Sequence, residues 1–119
     1  MARTALTVNS IVRAGLADPS ATTGTADGHM VTNDGDVFLE FNNANASSRI
    51  ITIQTPTTVG EFAVADLTIT VPGSASRFKA GPFDMGLFNQ PAGHADAGKF
   101  YLDYPAGQHT DLTVRAFGL

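Results

Sequence analysis

Apolar and polar residues alternate with a period of two wherever the chain carries a run of large side chains. In "RIITIQT" Ile51 and Ile53 point one way and Thr52 and Gln54 the other; in "DLTITVPG" Leu67, Ile69 and Val71 alternate with Thr68 and Thr70. "DVFLEF" sets Val37, Leu39 and Phe41 against Phe38 and Glu40, and "FYLDY" sets Phe100, Leu102 and Tyr104 against Tyr101 and Asp103. "DLTVRAF" sets Leu112, Val114 and Ala116 against Thr113 and Arg115. Each pattern predicts a strand with one face for a core and one for water. "ALTVNSIV", "HMVT" and "SRFKA" add further candidates, making about eight short strands.

Between them lie "NDGD", "NNANAS", "TPTTVG", "PGSAS" and "PAGQH", rich in residues that supply positive φ, fixed φ or local side-chain caps. No segment sustains about ten residues of helical periodicity. "DMGLFNQ" offers one turn, with Asp84 as its cap. The expectation is an all-β chain: a single antiparallel β-sandwich or jelly-roll-like barrel with an N-terminal arm, in one domain over residues 1–119. Immunoglobulin-like connections stay open, without the disulfide and packed tryptophan that usually mark them.

Two stretches break the regularity. Residues 16–28, "LADPSATTGTADG", form a long small-residue and polar loop, and loops of this length are uncommon unless functional or disordered. Residues 1–28 are therefore expected to form an arm and loop that contact a partner. Residues 80–98 place Phe83, Met85, Leu87 and Phe88 in a Gly/Pro-rich connection, where they either plug an end of the core or form an exposed apolar patch.

Composition narrows the chemistry. There is no cysteine, which removes disulfides, thiolate metal sites and cysteine nucleophiles. The opening "MARTALTVNSIVRAGL" has no continuous apolar block and no run reaches the roughly 18 residues of a membrane span, so a soluble protein made in a cytoplasm is expected. The net charge of −4 disfavours a nucleic-acid backbone as partner. It is uneven: Arg3 and Arg13 stand alone near the start, then Asp18, Asp27, Asp34, Asp36 and Glu40 follow before Arg49.

Catalytic signatures fall short. "GHADAGKF" has the glycines and Lys99 of a phosphate-binding loop, but Phe100 stands where a Mg²⁺-binding hydroxyl is needed, and a strand pattern follows instead of a helix. His29, His94 and His109 lack close metal-ligand spacing. Aligning Gly35 of "NDGD" with the invariant glycine of a calcium loop puts Met30 at the first ligand position. No G-x-S-x-G elbow occurs, and "NAS" at 45–47 reads as a turn. No enzyme, cofactor, metal, nucleic-acid or membrane function is expected.

The order "ALTVNSIVRAGL", "ADGHMVTNDGDVFLEFNNA", "RIITIQTP", "DLTITVPGS", "KAGPF", "FYLDY" and "LTVRAF" resembles the small all-β head proteins of tailed bacteriophages, of the capsid decoration or cement type. The resemblance covers nearly the whole chain, in strand order and turn phrases. It implies a non-enzymatic virion protein on the capsid surface, assembled in the host cytoplasm, that binds the major capsid protein and reinforces contacts between its subunits. Self-association, as a trimer for instance, is compatible with it. A head-tail connection or tail component, or a carbohydrate- or receptor-binding module, are the alternatives. From the residues themselves, the candidate partner contacts are Arg3, Leu6, Arg13 and Leu16 in the arm and Phe83, Met85, Leu87 and Phe88 in the second stretch.

Overall fold

The structure, a computed structural model, describes residues 3–17 and 19–118. Asp18, part of the acidic stretch noted above, lies outside the described residues. Strand makes up nearly all the regular structure. One sheet has the order β1 (Thr4–Ala5), β4 (His29–Thr32), β11 (Lys99–Asp103), β6 (Arg49–Ile53) and β9 (Leu67–Val71). A second has the order β10 (Phe78–Ala80), β5 (Val37–Asn43), β12 (Leu112–Gly118) and β2 (Val8–Ser10), with β3 (Thr22–Thr23) also on β12. A small hairpin, β7 (Thr58–Val59) and β8 (Phe62–Ala63), stands apart from both.

Alternation carries through to burial. Leu39, Phe41, Ile51, Ile53, Phe100 and Leu102 are wholly buried, and one apolar cluster draws from both large sheets. The polar turns behave as their chemistry dictates. Between β4 and β5, Asn33 Oδ1 accepts from Gly35 N and Asp34 Oδ1 from Asp36 N, each at 3.0 Å. At the far end of β5, buried Asn43 donates through Nδ2 to Ser47 O (3.0 Å) and Pro72 O (3.1 Å) and accepts from Asn45 N (3.0 Å), tying two loops together.

The sheets are mixed, not purely antiparallel, and neither closes into a barrel. The N-terminal segment is the reason. It runs in one direction past β4, pairing Thr4 with His29, then past β12, pairing Val8 with Ala116. Both neighbours run the same way, so both pairings are parallel. Between them Leu6 enters the core, its N–H donating to Met30 O at 3.0 Å. Residues 4–10 thus stitch an edge of one sheet to an edge of the other.

Strand directions also define two ends. β4, β6, β10 and β12 finish, and β5, β9 and β11 begin, at the same end. That end also carries the segment after β2, the 33–36 turn, the β7–β8 hairpin and the short helix α1 (Met85–Phe88).

Candidate functional site

Apart from Ile50, the large apolar side chains left exposed among the described residues lie at the α1 end: Ile11, Val12, Leu16, Val59, Phe62, Leu67 and Met85. The hairpin is the most pronounced part. Gly60 opens its two-residue turn with φ +64°, a conformation L side chains rarely adopt. Val59 and Phe62 pair directly across that turn, so their side chains share one face, and they are 68% and 79% exposed. A two-stranded hairpin is marginal alone in water. This one is held at its root: Thr55 N donates to Asp66 Oδ1 at 2.9 Å, and Thr57 Oγ1 lies within 2.8 Å of Gly86 O and 3.0 Å of Leu87 O in α1. Asp84 caps that helix, accepting from Gly86 N at 2.7 Å as its position predicted.

Between hairpin root and helix lies a cleft of about 270 Å³, lined among others by Pro56, Thr57, Met85 and Gln90. Met85 is 50% exposed beside it. Gln90 is buried, and its Nε2 has no hydrogen-bond partner. Charge follows the same polarity. Asp34, Asp36, Glu61, Asp66 and Asp84 stand in the loops of this end, with Arg13 and Lys99 as the bases beside them.

The predicted contact residues separate into different environments. Arg13 and Leu16 are exposed in the segment after β2, at the same end as Met85. Leu87 and Phe88 are half-buried, while Phe83 is buried, its ring centroid 4.8 Å from that of Phe100 and 5.8 Å from that of Phe88. The apolar stretch therefore does both things considered for it: Phe83 plugs the core and Met85 faces water. Leu6 is a core residue, and Arg3 lies toward the opposite end.

Arg3 belongs to a polar cluster on the outer face of β11. Its guanidinium donates to Asp103 Oδ1 (2.7 Å) and Oδ2 (2.8 Å) and sits 3.9 Å above the centre of the Tyr101 ring. The hydrogen bonds to Asp103 raise its pKa further. Gln54 Nε2 also donates to Asp103 Oδ2 at 2.7 Å, and the Tyr101 hydroxyl donates to Asp96, which pushes the phenol's pKa up. This cluster fastens the arm to the sheet.

The histidines do not converge. His29 is wholly buried and shares a 3.0 Å hydrogen bond through Nδ1 with the Tyr104 hydroxyl, while His94 and His109 sit in separate loops. Burial lowers the pKa of His29 and raises that of Tyr104. Among the described residues no three of His, Asp and Glu gather as a metal would require, and no helix is long and apolar enough to cross a membrane. Lys99 of the near phosphate-binding loop opens strand β11.

Val12, Val59, Phe62 and Gln90 are the members of this end that alternation did not single out. The strand formers Thr58, Val59 and Phe62 flanking Gly60 and Glu61 were a readable hairpin signal for Val59 and Phe62. No protein family, curated protein or solved structure matches the chain.

Proposed function

We propose that this chain is a capsid decoration protein of a tailed bacteriophage, a non-enzymatic virion component that binds the outer surface of the assembled shell and strengthens contacts between major capsid subunits. The observation that carries the reading is the gathering of exposed apolar side chains, led by Phe62, at one end of a β-sheet body. Patches of this kind mark protein interfaces. The body suits the role: two sheets around a shared core, in a molecule 23 Å through its shortest dimension, are the proportions of a β-sandwich. In the order β4-β11-β6-β9 a late strand lies between two earlier ones, as jelly-roll connections require. On a repeating lattice, many modest contacts add by mass action and stabilise only the assembled state.

The test is co-sedimentation of the purified protein with undecorated capsids, with unassembled major capsid protein as control. Saturable binding to shells alone is the expected result; equal binding to free subunits, or none to shells, refutes it. Tyr101 and Tyr104 are both buried, which leaves a glycan-binding reading without a tyrosine platform.

A further inference from the structure

We infer that the α1 end is a docking site for a basic, extended peptide segment of a partner protein, with one apolar side chain of that segment seated in the cleft between hairpin root and helix. The inference rests on the capsid reading for the identity of the partner, and on the geometry alone for its chemistry.

Three independent features converge. Met85 lines a cleft of about 270 Å³, and Val59 and Phe62 add water-exposed apolar surface on the hairpin whose root borders it. Acids outnumber bases in the loops around that surface, so Lys and Arg flanking the inserted side chain meet Asp34, Asp36, Glu61 and Asp84, while an acidic segment is repelled. Gln90 supplies the specific polar element. The residue lines the same cleft, and its Nε2, beneath the surface, is a donor without an acceptor. Turned outward into the cleft, that amide would be satisfied by a peptide carbonyl and not by a purely apolar ligand.

The probe is an end-blocked heptapeptide of alternating Arg and Leu, titrated into the ¹⁵N-labelled full chain, with the Glu/Leu peptide as control. Shift changes are expected in residues 11–17, 34–36, 56–67 and 84–92, with the basic peptide only, and binding should weaken severalfold when salt rises from about 50 to about 300 mM. Phe62→Ser should weaken binding about tenfold. Gln90→Met should weaken it about fivefold while thermal stability holds or rises, because a buried unsatisfied donor has been removed. That split separates ligand recognition from a structural role. Shift changes that are absent, scattered or centred on the opposite end overturn the inference, as does wild-type affinity in both variants. Shells are the separate readout: failure of the wild-type protein to bind them counts against the capsid reading and leaves the peptide to decide the face, whereas equal binding of wild type and Phe62→Ser to shells overturns the face.

Discussion

Acid should destabilise this protein through one histidine. His29 is 0% exposed, shares one side-chain hydrogen bond with the Tyr104 hydroxyl, and keeps Nε2 buried without a hydrogen-bond partner. A second proton would bury a charge and leave an N–H without an acceptor. In the unfolded chain the imidazole takes up that proton near its ordinary value of about 6.5, whereas in the folded protein burial holds the value lower. Between the two, the unfolded state binds the extra proton, so stability is full above about pH 7 and falls as pH drops, by up to about 1.4 kcal/mol per unit. With a urea dependence of about 1.5 kcal/mol per molar, the unfolding midpoint should move down by about 1 M for each unit within that window. Urea titrations at several pH values, run on wild type and His29→Gln, isolate the effect because the other groups titrate in both. Parallel loss of stability in the two proteins between pH 6.5 and 5 would refute the reasoning.

Other expected outcomes concern the frame. Phe100→Ala empties a wholly buried site against Phe83 and should lower stability by about 3–5 kcal/mol in chemical denaturation. Asn43→Ala deletes the bonds to Ser47 and Pro72 and should cost about 2–3 kcal/mol, with faster amide exchange in both loops; unchanged exchange would show that those loops hold themselves. Gly28 sits at φ +78°, where an added Cβ would come within 2.6 Å of Asp103 Oδ1 and 2.8 Å of Leu102 O. Gly28→Ala should therefore cost at least about 2 kcal/mol and loosen the arm, read as loss of protection at the Leu6 amide.

The strands of the core were legible because a sheet with one wet face imposes alternation, and the core faces of β5, β6, β11 and β12 follow it, while Glu40, Tyr101 and Phe117 are buried on the opposite faces. β9 obeys it less well: it borders its sheet, so Leu67 is exposed although it shares a face with the buried Val71. Partner choice between strands was not legible. The parallel pairing of Thr4 with His29 and of Val8 with Ala116 depends on how a distant strand runs, which no local pattern encodes. Of the candidate site, Met85 and Leu16 could be named from their unusual loop settings, while Leu6 and Arg3 turn out to face the core and a carboxylate. Gln90 could not be found at all, since an orphaned donor is a property of its surroundings and not of its residue type.

β12 lies in the middle of its sheet, between β5 on one side and β2 and β3 on the other. During synthesis, everything up to residue 111 can emerge while that central position is still vacant. β5 then presents an unpaired edge, and β2 and β3 have nothing to bind. Completion of this sheet is a single late event that joins segments about a hundred residues apart, so folding should be slow and governed by long-range closure. The interval before residues 112–118 arrive is the time of greatest exposure to aggregation.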